Sequence, residues 1–250
     1  MTIHRTKTGV AGLDELIEGG FPNGRMILVS GACGTGKTIF AMQFLYKGIT
    51  EYGENGVFVT FDEMPSKLRE DMTRFNWDLD DLEKKGKIAI IDATSARAGK
   101  TSKEKYSLPP MDADIDKMMI EIISLAKKIN AKRIVVDSIP AMALQFKSSA
   151  ETRRAILKMA YAISQNELTG IITSEISEQG LEKPTQFSKY GVEEYIADGV
   201  ILLNFLGVEK EANRTLHVRK MRGTDHASYF NPMFISEKGI TVKKIEEVYR

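Results

Sequence analysis

The sequence predicts an α/β protein with a mostly parallel sheet that is flanked by helices. Apolar runs typical of buried strands, at 26–30, 133–137 and 170–174, alternate with stretches of helical character. This alternation is typical of right-handed βαβ crossovers. From Asp198 onward short apolar runs follow one another with little helix between them, which predicts antiparallel strands added at the C-terminal end of the sheet. No repeat or low-complexity segment divides the chain, so we expect a single domain over residues 1–250.

The overall composition is that of an ordinary globular protein. Hydrophobic residues make up 42% of the chain and charged residues 28%, and the formal net charge is +1, which argues against disorder and against a global attraction to nucleic acid or membrane. The apolar runs are too short to cross a bilayer. The N-terminus has no apolar signal core and the one cysteine cannot form an internal disulfide. We therefore expect a cytoplasmic protein without membrane association.

The first elements lead directly to the most informative motif. Residues 8–17 begin with turn residues and continue as a short amphipathic helix that ends at Gly19 and Gly20, and the strand at 26–30 follows. Residues 31–38 then match the phosphate-binding pattern G-x-x-x-x-G-K-[ST] at every constrained position, and an apolar helix follows from Ile39. The predicted nucleotide-binding residues are Gly31, Ala32, Cys33, Gly34, Thr35, Gly36, Lys37, Thr38 and Ile39.

The residue types in this loop predict a nucleoside triphosphate with Mg²⁺. Glycines at 31, 34 and 36 allow positive φ and a close approach of main-chain N–H groups to phosphate oxygens. Lys37 is expected to reach the β- and γ-phosphates, and the Thr38 hydroxyl is expected to face Mg²⁺. Asp137 ends the buried strand at 133–137 in the manner of a Walker B segment, and we expect it to hold the Mg²⁺ shell through water.

Two carboxylates follow the second predicted strand, residues 57–61. Asp62 and Glu63 come directly after this β-rich run. In open α/β sheets the carboxyl edge of the strands is where ligands bind, and the phosphate loop lies at the same edge. These two acids are therefore candidates for the same site.

The middle of the chain contains further helices and one polar segment. Residues 65–82 predict one or two amphipathic helices with Trp77 packed inward, and residues 112–129 have apolar side chains at helical spacing. Residues 94–111 are polar and close on two prolines, so we expect an exposed mobile loop. Its basic residues are Arg97, Lys100, Lys103 and Lys105. We interpret this loop either as a solvated insertion or as a surface that faces a neighbouring subunit or a polyanion.

The chain resembles the KaiC family of RecA-like ATPases over nearly its whole length. The resemblance is carried by residues 8–16, by the phosphate loop and by residues 57–63, and it is most specific in the Y-G-V-E-E segment at 190–194 and in K-x-R-G-T-x-H at 220–226. It implies a RecA-like P-loop NTPase core, with ATP and Mg²⁺ as cofactors at subunit boundaries. It also implies a homo-oligomeric ring, usually a hexamer.

The resemblance also assigns roles to candidate catalytic residues. In the family, the acidic pair acts on the attacking water; here Asp62 replaces the usual first glutamate, so the main role is placed on Glu63. Lys220 and Arg222 match a basic pair that reaches the nucleotide bound to a neighbouring subunit. Fixed cations there stabilise the charge on the transferring phosphoryl group, in addition to the Lys37 of that subunit. Without the resemblance, their alternation with apolar residues equally fits a solvated edge strand.

Two departures limit what the resemblance implies. Family members often have T-T-E-R before I-x-E-x-G, whereas residues 173–180 of this chain are T-S-E-I-S-E-Q-G, with Ser174 and Glu175 directly before Ile176 instead. A sensing or autophosphorylation role of that strand end is therefore not carried over. The clock protein of the family has two such domains and this chain has room for one, so a circadian role is not carried over either.

Three functional hypotheses follow. The leading one is a Mg²⁺-dependent ATP-hydrolysing ring that couples nucleotide state to conformational change between subunits and regulates an unknown protein partner. The second is a nucleic-acid-dependent, recombination-type ATPase whose candidate loops contain Lys147, Lys183 and Lys189. The third is a slow ATP-bound signalling module or an autokinase. Cys33 either fills a loop position as a small residue or has a stabilised thiolate whose oxidation blocks nucleotide binding.

Overall fold

The computed structural model describes residues 3–109, 114–176, 186–205 and 214–244. The strands are β1 (Arg5–Thr6), β2 (Phe21–Pro22), β3 (Met26–Gly31), β4 (Asn55–Thr60), β5 (Ile88–Asp92), β6 (Tyr106–Ser107), β7 (Ala131–Asp137), β8 (Thr169–Glu175), β9 (Gly199–Phe205), β10 (Arg214–Met221), β11 (Phe230–Ser236) and β12 (Gly239–Val242). The helices are α1 (Lys37–Tyr52), α2 (Pro65–Met72), α3 (Leu79–Lys84), α4 (Thr94–Arg97), α5 (Ile115–Lys128), α6 (Ile139–Ala143), α7 (Ser149–Gln165) and α8 (Glu193–Ile196). Short 3₁₀ turns lie at Asp14–Ile17 and Thr73–Phe75.

A ten-stranded sheet organises the chain, in the order β12-β11-β10-β9-β3-β8-β7-β4-β5-β6. Every neighbouring pair from β9 to β6 is parallel, whereas β9-β10, β10-β11 and β11-β12 are antiparallel. The fold class predicted from the sequence is confirmed: a mostly parallel α/β sheet with antiparallel strands at the C-terminal end. The phosphate-loop strand β3 lies between β8 and β9, so the loop that follows it emerges near the middle of the sheet.

Helices cover both faces of this sheet because its central strands are apolar on both sides. Ile27 and Val29 of β3 belong to one core, with the apolar sides of α1, α2 and α3. Leu28, the residue between them, belongs to the opposite core, with α5, α6 and α7. Successive residues of a strand point to opposite faces, so a strand buried on both sides has a continuous apolar run. Trp77 is packed inward as predicted, with 3% of its surface exposed.

One expectation for the strands is wrong. We expected all four C-terminal strands to be antiparallel, yet β9 runs parallel to β3, with Ile27 opposite Gly199. Residues 200–203 are all buried, as is typical of an internal parallel strand. The direction reverses only at β10, which pairs antiparallel with β9.

The expected mobile loop at 94–111 is folded against the sheet edge over its described residues, 94–109. The main-chain N–H and hydroxyl of Thr94, the hydroxyl of Ser95 and the hydroxyl of Ser102 donate to Asp92 over 2.5–2.8 Å. Burial alone raises the pKa of Asp92, but these hydrogen bonds outweigh it and lower the pKa to about 2. Residues 110 and 111 lie outside the described part, as do residues 177–185 of the second polar loop.

A buried cation fixes α1 against β7. Arg133 is completely buried, and its guanidinium lies 2.6 Å from the Glu54 carboxylate and donates to the main-chain carbonyl of Phe44. Helix α1 has Gly48 where it passes this group, and a Cβ built there lies 2.3 Å from Arg133 Nε. Glycine is therefore required at position 48, because the helix backbone passes too close to Arg133 for any side chain.

None of the described helices is long and apolar enough to cross a membrane.

Candidate active site

A cavity of about 990 Å³ lies at the carboxyl edge of the sheet. The phosphate loop, the ends of β4, β7 and β8, and the N-terminal side of β10 border it. Predicted site residues that line it are Cys33, Gly34, Gly36, Lys37, Thr38, Ile39, Asp62, Glu63 and Asp137. The fold thus brings the predicted phosphate-binding, acidic and metal-binding residues of one chain to one cavity.

The loop glycines have two different structural reasons. Gly34 and Gly36 have φ of +74° and +100°, in the region that favours glycine. Gly31 was also expected to have positive φ, and this is wrong: it is required because a Cβ there would lie 2.4 Å from the carbonyl oxygen of Leu203 on β9. The side chain of Thr35 donates to the carbonyl of Ala32 over 2.9 Å and closes the loop on itself.

Lys37 points back into the loop. Its ammonium donates to the carbonyl oxygens of Gly31 and Ala32, both over 2.9 Å. Burial lowers the pKa of Lys37, and the negative charges of Glu175 and Asp137 partly oppose that shift. A phosphate anion at this position would add a negative charge that favours the ammonium form of Lys37, so the charge of this side chain suits anion binding.

The two predicted magnesium ligands are in contact. The hydroxyl of Thr38 donates to one carboxylate oxygen of Asp137 over 2.8 Å, and the hydroxyl of Thr173 donates to the other oxygen. Burial raises the pKa of Asp137, while these two hydrogen bonds lower it. A hydroxyl and a carboxylate side by side fit Mg²⁺, which keeps several waters and takes few protein ligands.

Asp62 and Glu63 have different surroundings. Asp62 accepts a hydrogen bond from the hydroxyl of Ser138 over 2.8 Å, and its other carboxylate oxygen lies 3.7 Å from the guanidinium of Arg97. Burial raises the pKa of Glu63, and the negative charges of Asp71 and Asp137 raise it further. A carboxylate with a raised pKa is a better proton acceptor, which is the property that the predicted role of Glu63 requires.

Lys220 and Arg222 do not reach the phosphate loop of their own chain. Met221, between them, pairs with Gly199, which lies beside Ile27 near the start of β3. Gly31 is four positions further along β3 than Ile27, or roughly 13 Å at about 3.3 Å per residue. The basic pair therefore lies towards the opposite end of β3 from the loop.

Main-chain carbonyls of α8 and the turn after it hold this basic pair. The ammonium of Lys220 donates to the carbonyls of Glu194 over 3.0 Å and Ala197 over 2.7 Å. Burial and the nearby charge of Arg222 lower the pKa of Lys220. The Arg222 side chain is 53% exposed and lies 3.4 Å from the Asp198 carboxylate. The two cations thus differ: Lys220 is held by short hydrogen bonds and Arg222 is presented to the surface.

Several cavity residues were missed at the level of sequence. Arg214 and Ile235 line the cavity, and the Arg214 guanidinium lies 4.6 Å from the centre of the Phe205 ring. A Cβ at Gly36 would lie 2.9 Å from Ile235 Cδ1, so β11 closes over the loop. No local pattern marks Ile235. Arg214 begins the strand that contains Lys220, and its charge was the available signal.

The remaining candidates differ in their positions. Glu175 lines the cavity and Cys33 is exposed within the loop. Lys147 and Lys189 are exposed, whereas Lys183 lies outside the described residues. Ser174 does not face the cavity as a free hydroxyl, because it is completely buried and donates to Glu193 over 3.0 Å.

The fold and this site define a P-loop protein of the RecA-like class. A family model described as "ATPase: KaiC" matches residues 6–247, and the chain therefore belongs to the KaiC family of RecA-like ATPases. This confirms the family that the sequence motifs indicated.

Individual relatives agree with that assignment. A UPF0273 protein of Methanocaldococcus jannaschii is 40% identical over 242 residues, which cover 95% of this chain and 96% of the relative. The circadian clock oscillator protein KaiC of Synechococcus elongatus is 36% identical over 241 residues, which cover 96% of this chain but only 44% of that protein. The crystal structure of a KaiC-like protein of Pyrococcus horikoshii superposes with a TM-score of 0.81 at 40% identity and covers 97% of this chain and all of that one.

Proposed function

We propose that the protein is a Mg²⁺-dependent ATPase that works as a homo-oligomeric ring, a hexamer, with each nucleotide site completed by a neighbouring subunit. The observation that carries the proposal is the contact of Thr38 with Asp137, 2.8 Å apart, in a cavity that Lys37 and Glu63 also line. These residues come from three elements that are distant in sequence. A glycine-rich turn without this function has no reason to assemble them.

The residues divide the chemistry as follows. Main-chain N–H groups of the loop and Lys37 hold the phosphates. Thr38 and Asp137 would hold Mg²⁺, which would supply positive charge to neutralise the phosphates. Glu63 orients a water in line with the γ-phosphorus and accepts its proton. The water oxygen bonds to phosphorus as the bond to the β–γ bridging oxygen breaks, so that ADP and phosphate are the products.

The same geometry supports a contribution from a neighbour. Lys220 and Arg222 lie roughly 13 Å from the loop of their own chain along β3, so they do not serve their own phosphates. We propose that they approach the γ-phosphate bound to the next subunit, where a cation supplied in trans contributes up to about 10³–10⁵ in rate. Arg222 can leave its exposed contact with Asp198, at 3.4 Å, more readily than Lys220 can break its shorter hydrogen bonds to main-chain carbonyls. Movement of these groups with nucleotide state would couple hydrolysis to the ring and to a protein partner.

Substitution of the loop lysine tests the nucleotide site. Lys37→Ala should abolish hydrolysis and weaken ATP binding, because the ammonium that faces the phosphates is lost. Lys85→Ala removes an ammonium from an exposed lysine on the surface and is the matched control. Phosphate release and ATP titration measure both. Hydrolysis by Lys37→Ala at the unsubstituted rate would contradict the proposal.

Mixed assemblies test the contribution in trans. Arg222→Ala subunits keep an intact loop, and Glu63→Gln subunits keep an intact Arg222, so each alone should be nearly inactive. Mixing them should restore turnover at sites where the two meet. Absence of recovery at every ratio, with mixed assemblies confirmed by mass, would refute the arrangement.

A further inference from the structure

A buried carboxylate connects the end of β8 to α8, and the mechanism above does not use it. Glu193 is completely buried. Its carboxylate accepts hydrogen bonds from the hydroxyl of Ser174 over 3.0 Å and from the main-chain N–H groups of Val192 over 3.1 Å and Tyr190 over 3.3 Å. The hydroxyl of Ser188 lies 2.7 Å from it and is shared with the carboxylate of Glu194. Among the described residues no ion pair offsets its charge. Burying a carboxylate with neutral donors alone is costly, so a positioning role would explain why this residue is acidic.

One end of this network lies at the nucleotide site. Ser174 is opposite Ser30 in the β3–β8 register, and the Ser30 hydroxyl donates to the Ser174 carbonyl over 3.3 Å. The next residue, Glu175, lines the cavity and is opposite Gly31, the first loop residue. The Ser174 hydroxyl donates its hydrogen bond to Glu193, and Ser174 itself is paired with β3, the strand that leads into the phosphate loop. Glu193 is therefore connected to the nucleotide site.

The other end of the network lies at the basic pair. Glu193 is the first residue of α8, and the carbonyls of Glu194 and Ala197 accept from the ammonium of Lys220. The main-chain N–H of Arg222 donates to the carbonyl of Asp198, which directly follows Ala197, over 2.9 Å. A displacement of α8 would therefore displace both cations.

We propose that Glu193 is a positioning residue that fixes α8 to the nucleotide site of its own subunit and thereby places Lys220 and Arg222 for the neighbouring site. The inference rests on the proposed contribution in trans. Beyond that contribution, we infer that the hydrogen bonds from Ser174 to Glu193 and from Lys220 to α8 connect the nucleotide site of one subunit with the nucleotide site of its neighbour.

The test uses the mixed assembly described above, with the Arg222→Ala subunit as acceptor and the Glu63→Gln subunit as donor. Glu193→Gln is added to one or the other. In the donor, whose own site is already silent, we expect turnover to fall by about 10- to 100-fold, because a displacement of about 1 Å in a catalytic group has an effect of this size. In the acceptor, whose basic pair is not used, turnover should stay within about twofold. The amide of glutamine would place its NH₂ against N–H and O–H donors, which is why this substitution moves α8.

Glu121→Gln, an exposed glutamate on α5, is the matched control in the donor. Ser174→Ala in the donor should also lower turnover, and it decides the matter if Glu193→Gln subunits fail to assemble. Equal losses in donor and acceptor would indicate a purely structural role and would overturn the inference, as would no loss in either. If the mixture with Glu193 intact shows no turnover, the contribution in trans is itself refuted and the inference fails with it.

Discussion

Alanine substitutions at two loop glycines should have different effects for different physical reasons. At Gly31 an added Cβ meets the carbonyl oxygen of Leu203 at 2.4 Å and the hydroxyl of Thr35 at 2.7 Å, and atoms at such distances must move. The carbonyl belongs to β9, the strand paired with β3, so the two strands must separate where the loop begins. At Gly34 an added Cβ has no neighbour within 4 Å, and only the φ of +74° opposes alanine.

The magnitudes follow from these two causes. Overpacking costs about 1–3 kcal/mol, and Gly31→Ala belongs near the upper end because the contact is with main chain. Left-handed φ costs alanine about 1–2 kcal/mol, and loss of unfolded-state freedom returns about 0.4–1 kcal/mol in both variants. We expect Gly31→Ala to lower the free energy of unfolding by about 2 kcal/mol, and Gly34→Ala by about 1 kcal/mol or less.

Urea unfolding without nucleotide, followed by the fluorescence of the single tryptophan, measures both values. Trp77 is 3% exposed, so unfolding changes its surroundings. Greater destabilisation of Gly34→Ala than of Gly31→Ala would contradict these two causes, as would a Gly31→Ala variant that unfolds at the unsubstituted urea midpoint.

Two further predictions concern stability. Gly48→Ala should lower the free energy of unfolding by about 1–3 kcal/mol although alanine has the better helix propensity, because its Cβ would lie 2.3 Å from Arg133 Nε. Urea unfolding should show a smaller cost of Gly48→Ala in an Arg133→Met background. Additive costs of the two substitutions would contradict a steric clash between these residues. Asp92→Asn should be destabilising at neutral pH and lose its effect in acid: the folded pKa of about 2 lies below the ordinary 3.8, so the carboxylate stabilises the fold above about pH 4, and this contribution disappears as the pH falls towards 2. Urea midpoints of Asp92→Asn and the unsubstituted protein should converge between pH 5 and about pH 2, and a constant difference would show that titration of Asp92 is not the cause.

The parts of the fold that could be predicted depend on local patterns. The phosphate loop, the helix after it and the acids at the ends of β4 and β7 follow from spacing and from the rule that parallel strands place ligands at their carboxyl edge. To predict that Thr38 and Asp137 lie close together, it was enough to place the ends of β3 and β7 correctly. Direction in the sheet is different: β9 has an apolar run that suits either direction, and only its pairing with β3 decides it.

The parts that could not be predicted depend on contacts between distant residues. No pattern in the sequence indicates that the charged side chain of Arg133 is fully buried, which is possible because Gly48, Glu54 and the carbonyl of Phe44 surround it. The segment after β5 looked like a loop because its order comes from one carboxylate, Asp92, whose hydrogen bonds are invisible in composition. Such arrangements have no period in the sequence.

We propose that a nucleotide site of this protein is complete only when a neighbouring subunit contributes to it. The most direct measurement is ATP turnover per subunit across a range of protein concentrations, with native mass spectrometry of the same samples in ATP and Mg²⁺. We expect turnover per subunit to rise in proportion to the assembled fraction, and isolated subunits to be nearly inactive. Monomers that hydrolyse ATP at the rate of the assembly would contradict it.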